Sequence, residues 1–313
     1  MKADKSLVIG TRGSALALAQ ADMLQAALEA RYPELSVRRE IIHTTGDKRT
    51  DVPLADVAKL SGVVDKGIFI KELEYALLDG RIDVAVHSLK DVPSELSEEF
   101  CLPSVLPRAD VQDVLITKVP NWDGCGVLAT GSVRRQMMAK TYFGKKLQVV
   151  DLRGNVPTRL SKLVANQDWN AAILAKAGLE RLGLYAPQTQ VDGINVWMTP
   201  LPTESFIPAV GQGIVGMECL ASNTVVRSYL EGICDTNAFV CGKAERAFLV
   251  HLGATCSTPV GVYAQIEGDE VVLRACYYAP SRALPVIIEV RGPLNEPESL
   301  GYKAYKVLAE KLG

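Results

Sequence analysis

The chain has 313 residues, of which 48% are hydrophobic and 22% are charged, as is typical of a soluble globular protein with two or three domains. The formal net charge of −2 disfavours nucleic acid as the main partner, because a phosphate backbone calls for a basic surface. No run approaches the roughly 18 apolar residues of a membrane span, and residues 1–6 show no secretory pattern. We therefore expect a cytoplasmic protein with no membrane partner.

One pattern recurs along most of the chain: a short apolar strand, a polar turn and a helix. It first appears as a strand at 7–10 and a helix at 15–31, for which Ser14 is the natural N-cap. Further strands are predicted at 82–88, 127–130, 147–152 and 171–175, each followed by Ser, Thr, Arg or Lys. This alternation predicts mainly parallel sheets with helices on both faces.

Charged and hydroxyl side chains collect where these predicted strands end, and ligands of such sheets bind there. The residues are Thr11, Arg12, Ser14, Lys90, Asp91, Thr130, Ser132, Arg134, Arg135, Arg153 and Arg159. A single arginine is most often a solvated surface charge, but the same placement at four strand ends indicates an anion site. Because guanidinium groups pair bidentately with carboxylates, we expect a ligand with several carboxylates.

Three segments break the pattern. Residues 46–67 lack a sustained period and are predicted to form a flap beside the cleft, with functionless disorder as the alternative. The Gly- and Pro-punctuated segment 207–216 is predicted to return to the first domain as a hinge plus a strand. Beyond about residue 232, three apolar runs and a helix at 298–312 predict an antiparallel α+β domain.

The expected fold class is therefore α/β: two periplasmic-binding-protein-like α/β domains with a hinge, plus a smaller α+β C-terminal domain with a three-stranded antiparallel sheet. The predicted boundaries are 1–106 with 208–231 for the first domain, 107–207 for the second and 232–313 for the third.

The seven cysteines include no Cys-x-x-Cys pair, and the chain has only three histidines. Neither a disulfide framework nor a metal site is therefore expected. Cys256 lies among small residues between a predicted helix at 243–252 and a predicted strand at 260–266. A lone cysteine is most often a small buried residue, so a role for Cys256 needs support from the rest of the chain.

That support comes from short segments that occur in one order along the chain. They are Val-His-Ser-Leu-Lys-Asp-Val-Pro at 86–93, Gly-Ser-Val-Arg-Arg at 131–135, Leu-Arg-Gly-Asn at 152–155, Thr-Arg-Leu at 158–160, Pro-Ala-Val-Gly-Gln-Gly at 208–213, Ala-Glu-Arg-Ala-Phe-Leu at 244–249 and Cys-Ser-Thr-Pro-Val at 256–260. Together they resemble the porphobilinogen deaminase (hydroxymethylbilane synthase) family over nearly the whole chain.

The resemblance implies a deaminating transferase of tetrapyrrole biosynthesis. Members of the family join four porphobilinogen molecules head to tail with release of ammonia, and then free the linear tetrapyrrole hydroxymethylbilane with water. The product grows on a dipyrromethane cofactor that a thioether tethers to a cysteine. We expect porphobilinogen as the substrate and a monomer that hands its product to the next enzyme of the pathway.

The resemblance also implies roles for individual residues. Asp91 matches the catalytic aspartate, and Cys256 matches the cofactor attachment point. The residues that match cofactor contacts are Cys256, Lys66, Lys90, Asp91, Thr130, Ser132, Arg134, Arg135 and Arg159. Those that match substrate contacts are Arg12, Ser14, Arg153, Arg159, Arg181 and Gln212.

The chemistry of the reaction agrees with these residue types. Each porphobilinogen carries an acetate and a propionate, so the growing product needs many guanidinium partners. Loss of ammonia leaves a cationic azafulvene, whose charge a carboxylate beside the pyrrole nitrogens can stabilise. Lys90 favours the ionised form of the neighbouring Asp91, for which the alternative is a structural aspartate that caps the turn before Pro93.

The sequence departs from the family pattern at Gly131, where a serine is expected, at the longer loop before Lys66, and at Ala254 and Thr255, where glycines are common. Two other classes of protein are the alternatives. A solute-binding protein could hold an anion in the same architecture, but it would not need the third domain or the cysteine loop. A cysteine hydrolase would need a base partner for Cys256, and none is recognisable.

Overall fold

The computed structural model describes residues 6–43, 70–255 and 257–313. The first part of the chain forms β1 (Ser6–Thr11), α1 (Ala15–Arg31), β2 (Ser36–Ile41), α2 (Lys71–Leu78), β3 (Val84–Ser88), a 3₁₀ turn (Leu89–Asp91) and β4 (Phe100–Val105). After a long excursion the chain returns with β11 (Val215–Leu220) and α6 (Thr224–Glu231). These strands form the first sheet, in the order β2-β1-β3-β11-β4.

The excursion forms the second sheet, in the order β7-β6-β8-β5-β10-β9. Its elements are β5 (Asp113–Thr117), β6 (Gly126–Ala129), α3 (Val133–Phe143), β7 (Leu147–Val150), α4 (Val156–Ala165), β8 (Trp169–Ala175), α5 (Lys176–Arg181), β9 (Gln188–Val191) and β10 (Ile194–Pro200). Asp192 and Gly193 join β9 to β10 with positive φ angles of 48° and 81°, the geometry of a two-residue hairpin turn.

The remaining chain forms α7 (Thr236–Leu252), β12 (Val260–Glu267), β13 (Glu270–Tyr277), β14 (Val286–Pro293) and α8 (Pro297–Leu312). The strands make a fully antiparallel sheet in the order β12-β13-β14, and α7 and α8 pack on it around a core that includes Phe248, Leu273 and Leu308. Two α/β sheets followed by a three-stranded antiparallel sheet confirm the expected fold class.

The expectation of mainly parallel sheets is wrong. Among the described strands, β1 pairs in parallel with β2 and β3, and β6 pairs in parallel with β7 and β8. The pairings made by β4, β5, β9, β10 and β11 are antiparallel. These strands enter the sheets from a hairpin or from the crossings between sheets, rather than from the helical crossover that parallel neighbours require.

Buried hydrogen bonds hold together the segment through which the chain returns to the first sheet. The Glu245 carboxylate of α7 accepts hydrogen bonds from Arg108 Nη1 at 2.6 Å, Gly211 N at 2.7 Å and Ala264 N at 2.8 Å. Gly213 has φ of 87°, and a Cβ there would lie 2.5 Å from the Ala109 carbonyl oxygen, so only glycine fits. β11 begins at Val215, so turns rather than a strand occupy most of the segment 207–216 that was predicted as a hinge plus a strand.

Candidate functional site

The ends of β3, β6 and β7 bring several of the predicted site residues into one cleft between the first and second sheets. Lys90 and Asp91 lie on the 3₁₀ turn that follows β3, and both side chains are exposed. Ser132 caps α3 after β6, where its Oγ accepts a hydrogen bond from the Arg135 amide at 3.4 Å. Arg153 follows β7, so cationic side chains from two sheets face one space.

A buried carboxylate, which sequence reasoning missed, organises the arginine pair at the start of α3. Asp113 Oδ2 accepts from Arg134 Nη2 at 2.8 Å, and Oδ1 accepts from Arg135 Nη2 at 2.8 Å and from Gln212 Nε2 at 3.0 Å. Arg134, Arg135 and Asp113 are 5%, 6% and 0% exposed. Burial alone would raise the pKa of Asp113, but the two guanidinium groups hold it below its usual range.

Backbone carbonyls fix the rest of this arginine pair. Arg134 Nη1 donates to the Ile207 carbonyl at 2.8 Å, and Arg135 Nη1 donates to the Ile173 carbonyl at 3.2 Å. Arg134 Nε is buried and has no hydrogen-bond partner within the described ranges. The pair is thus rigid, and its charge is only partly compensated by one carboxylate.

The positive charges around Asp91 are close enough to perturb one another. Burial lowers the pKa of Arg159 to about 10, with Arg135 and Arg153 acting in the same direction and Asp91 opposing them. The pKa of Lys90 falls from 10.5 to about 8, because the cleft walls disfavour the charged ammonium and because Arg135 and Arg159 repel it. The Lys90 side chain remains exposed to the cleft, so solvent reaches it although protein surrounds it on several sides.

Arg153 lies on the segment that joins β7 to α4, and Arg159 lies near the start of α4. Arg159 Nε donates to the Gly154 carbonyl at 2.6 Å, and Arg153 Nε donates to Asp151 Oδ2 at 2.9 Å. Gly131 packs against this segment: a Cβ there would lie 2.8 Å from the Leu152 carbonyl oxygen and 3.0 Å from the Arg153 guanidinium carbon. The glycine found in place of the expected serine therefore leaves room for the observed position of Arg153.

A narrow pocket of about 20 Å³ lies where the two sheets meet the return segment, and Ser88, Lys90 and Arg181 contribute to its lining. Arg181 Nη2 donates to the Gly213 carbonyl at 2.7 Å, whereas Arg181 Nε is buried without a partner in the part of the chain described. Gln212 is fully buried, and its Nε2 donates hydrogen bonds to the Val111 carbonyl and to Asp113 Oδ1. Its side chain therefore contacts the carboxylate that binds the arginine pair.

The remaining predicted residues lie at the expected strand ends or outside the described residues. Arg12 is half-buried after β1, and the Ser14 Oγ accepts from the Ala17 amide at 3.3 Å as the N-cap of α1. Thr130 is 2% exposed, and its Oγ1 accepts from the Ser132 amide at 3.3 Å. Lys66 and Cys256, together with the whole of the predicted 46–67 flap, lie outside the described residues.

A second residue that sequence reasoning missed links α7 to the turn after Asp91. Arg246 donates from Nη2 to the carbonyls of Pro93 at 2.7 Å and Ser94 at 3.0 Å, and from Nη1 to the carbonyl of Val92 at 3.4 Å. Burial lowers the pKa of Arg246 to about 10. The motif at 244–249 contains this arginine, but no sequence signal connects it to carbonyls about 150 positions earlier.

The fold and this cleft define an α/β protein with an additional antiparallel domain and a cleft lined by arginine and lysine side chains. The model of the porphobilinogen deaminase dipyromethane cofactor binding domain matches residues 7–228, and the model of the porphobilinogen deaminase C-terminal domain matches residues 239–310. The chain belongs to the porphobilinogen deaminase family.

Curated relatives agree with this assignment. The chain is 41% identical over 312 residues to the porphobilinogen deaminase of Bordetella parapertussis, covering 98% of this chain and 94% of that protein. It is 40% identical over 274 residues to the porphobilinogen deaminase of Syntrophomonas wolfei, covering 86% and 84%. The solved structure of the methionine-binding protein MetQ shares 11% identity over 73% of this chain and 89% of that one, with a TM-score of 0.43, and is too distant for a functional comparison.

The assignment confirms the expected function and cofactor: hydroxymethylbilane synthesis from porphobilinogen, with dipyrromethane as the cofactor. The residues of the cleft fit such a group, because the unpartnered N–H donors of Arg134 and Arg181 are what carboxylate side chains require. No helix in the described ranges is both long and apolar enough to cross a bilayer. Nor do the described residues contain a cluster of three His, Cys, Asp or Glu side chains suited to a metal ion.

Proposed function

We propose that Asp91 is the catalytic residue of this chain and that the cleft between the first and second sheets is its active site. The observation that carries the proposal is the position of Asp91, an exposed carboxylate at the end of β3 within the electrostatic range of Arg159 and Lys90. The Asp91 side chain is exposed, so a ligand in the cleft can reach its carboxylate.

The carboxylate of Asp91 would act on the substrate in two ways. It accepts hydrogen bonds from pyrrole N–H groups, which fixes the ring in the cleft, and it stabilises the positive charge that develops when ammonia leaves. A bound substrate displaces water from the cleft, and the lower local dielectric constant strengthens both interactions.

The cationic residues would bind the acetate and propionate groups. Arg12, Ser14, Arg153, Arg159, Arg181 and Gln212 are proposed to serve the incoming substrate. Lys66, Lys90, Thr130, Ser132, Arg134, Arg135 and Arg159 are proposed to hold the cofactor with Asp91. Arg134, Arg135 and Gln212 are buried, which supports a role as rigid hydrogen-bond donors. They would either contact the ligand themselves or hold neighbouring donors in position for it.

The cofactor, when bound, supplies the primer on which the product grows. Cys256 is proposed as its covalent attachment point, through a thioether. The neighbouring residues support an accessible loop: α7 ends at Leu252, Gly253 has a left-handed φ of 63°, and β12 begins at Val260. Such a loop can present a residue to the cleft without breaking a helix or strand.

The domain boundaries are proposed as 1–106 with 208–231, 107–207 and 232–313. They are supported by the crossings between sheets, which fall between β4 and β5 and between β10 and β11. We also propose a monomer in the cytoplasm that hands its product to the next enzyme. The six described cysteines are unpaired, which is typical of a reducing compartment.

Replacement of Asp91 by asparagine tests the catalytic proposal, because it removes the charge with little change in shape. We expect Asp91→Asn to retain the fold and the bound cofactor while turnover of porphobilinogen falls by at least about a hundredfold. Asp79→Asn, at the exposed end of α2, is the matched control and should keep normal turnover. Turnover near the wild-type value in Asp91→Asn would assign catalysis to another group.

A further inference from the structure

Two cysteines outside the proposed active site face each other on neighbouring strands. Cys101 of β4 and Cys219 of β11 are direct partners in the antiparallel register, and their sulfur atoms lie 3.7 Å apart. A disulfide needs an S–S distance near 2.05 Å and a Cα separation of about 4.4–6.8 Å, a range that covers directly paired antiparallel residues. Small rotations of the two side chains would therefore bring the sulfur atoms within bonding distance.

The two thiols have different surroundings. Cys219 is 0% exposed, whereas Cys101 is half-buried and accessible from solvent. A hydrogen bond with the Cys219 thiol lowers the pKa of Cys101, and Arg227 acts in the same direction, whereas burial, Glu218 and Glu231 oppose it. The same hydrogen bond and burial raise the pKa of Cys219.

Arg227 of α6 provides an independent sign that negative charge fits at this place. Its Nη1 donates to the Ala221 carbonyl at 3.3 Å, and its Nη2 lies 3.5 Å from Glu231. Its Nε is buried and has no hydrogen-bond partner in the described ranges. A thiolate on Cys101 would place an anion close to this arginine.

We propose that Cys101 and Cys219 form a reversible intramolecular disulfide in response to peroxide. The Cys101 thiolate attacks a peroxide oxygen and breaks the O–O bond, which gives a sulfenic acid and, with a proton, one water. The Cys219 sulfur then attacks the sulfenic sulfur and expels the hydroxyl group as a second water. Two thiols and one hydrogen peroxide thus become one disulfide and two waters, and a dithiol reductant restores the thiols.

The position of the pair gives this bond a structural effect. β4 is the last strand before the chain leaves for the second sheet, and β11 is the first strand after it returns. The partners are 118 positions apart, so the disulfide closes a loop that contains the whole second sheet. β4 is also an edge strand of the first sheet, and the disulfide would prevent β4 from separating from β11 by local unfolding.

Other described cysteines provide a contrast. Burial raises the pKa of Cys241 and Cys276 to about 11, and a hydrogen bond with Asp123 raises the pKa of Cys125. A thiol that stays protonated is a poor nucleophile toward peroxide. Oxidation is therefore expected to begin at Cys101 rather than at these three residues.

To test the proposal, the purified holoprotein is treated with one equivalent of hydrogen peroxide, and the remaining thiols are alkylated. The protein is then digested without reduction, and its peptides are mapped by mass spectrometry. The expected result is a cross-linked peptide that joins Cys101 to Cys219, the loss of two titratable thiols, and the return of both after dithiothreitol. The melting temperature of the oxidised protein should exceed that of the reduced protein by about 5 °C, because a long loop is closed.

Three variants sharpen the test. Cys219→Ala should leave a sulfenic acid on Cys101 that dimedone traps, and Cys101→Ser should abolish both the cross-link and the melting shift even if the first variant folds poorly. Cys241→Ser, a buried cysteine of α7, should cross-link like the wild type. Survival of both thiols, a cross-link between other cysteines, or over-oxidation of Cys101 without a link to Cys219 would overturn the proposal.

Discussion

Arg246 donates a hydrogen bond from Nη2 to the carbonyl oxygen of Pro93, 2.7 Å away, and so ties α7 to the turn that presents Asp91. The guanidinium also contacts the carbonyls of Val92 and Ser94, so one side chain holds three consecutive backbone groups. Because α7 leads into the loop that contains Cys256, the proposed attachment point and the proposed catalytic residue are connected through this arginine.

Removal of this contact should affect the chemical step more than binding. For Arg246→Met we expect kcat to fall about tenfold to a hundredfold, while KM changes less than about threefold, because a displaced carboxylate no longer meets the pyrrole nitrogens. Steady-state kinetics of the purified holoprotein measures both values. Lys243→Met is the matched control, since Lys243 lies on the same helix and contacts the exposed Glu298 at 3.0 Å and the Phe239 ring, not the turn after Asp91. A rise in KM at constant kcat would contradict the role of Arg246 as a positioning residue.

The lowered pKa of Lys90 predicts a pH dependence. A lysine with pKa about 8 instead of 10.5 loses its charge as the pH rises through 8. The cleft then loses part of the positive charge that attracts the carboxylates of porphobilinogen, even though Lys90 itself is proposed to contact the cofactor. We expect KM for porphobilinogen to increase above about pH 8 in the wild type. Arginine keeps its charge there, so Lys90→Arg should remove this increase. Identical pH profiles of KM for the two proteins would exclude Lys90 as the titrating group.

The buried carboxylate of Asp113 should be a major determinant of stability. Asp113→Asn leaves two buried guanidinium groups without their counter-charge, which is expected to lower the free energy of unfolding by about 3–5 kcal/mol. Urea denaturation followed by circular dichroism measures this change. The control is Asp151→Asn, where an exposed carboxylate pairs with Arg153 and the expected change is about 0–1 kcal/mol. Equal losses in both variants would show that burial of the ion pairs has no influence.

Gly131 should affect substrate binding through Arg153. Gly131→Ser brings a Cβ to within 2.8 Å of the Leu152 carbonyl oxygen and 3.0 Å of the Arg153 guanidinium carbon, so Arg153 must move. We expect KM to rise about threefold to tenfold with little change in kcat. In an Arg153→Met background the same serine should raise KM less than in the wild type, because its contact with the guanidinium is absent and only the contact with the Leu152 carbonyl remains. Independent effects in the double variant would disprove the coupling.

Local patterns predicted the elements and the edge of the sheets where the site lies. The helix α1 spans the predicted residues because Ser14 offers a side-chain cap and the buried Ala21, Leu24 and Leu28 recur at helical spacing. Lys90, Ser132 and Arg153 could be placed in one cleft because the carboxyl ends of β3, β6 and β7 carry them.

Long-range partners could not be predicted in the same way. Asp113 precedes an apolar run, and nothing local shows that two arginines about 20 positions later are its partners. The antiparallel placement of β5 and β11 depends on which buried strand lies beside them, and an apolar run carries no information on direction. The Asp-Gly pair at 192–193, by contrast, is a local signal for a two-residue hairpin, because aspartate tolerates and glycine readily adopts a positive φ.

The intact mass of the purified protein tests the central claim most directly. If Cys256 anchors a dipyrromethane primer, the wild-type mass exceeds that of the polypeptide by two linked pyrrole units, and Cys256→Ser has the mass of the bare chain. Incubation with porphobilinogen should add further pyrrole units to the wild type only. A wild-type protein that folds, carries no added mass and consumes no porphobilinogen would contradict the account.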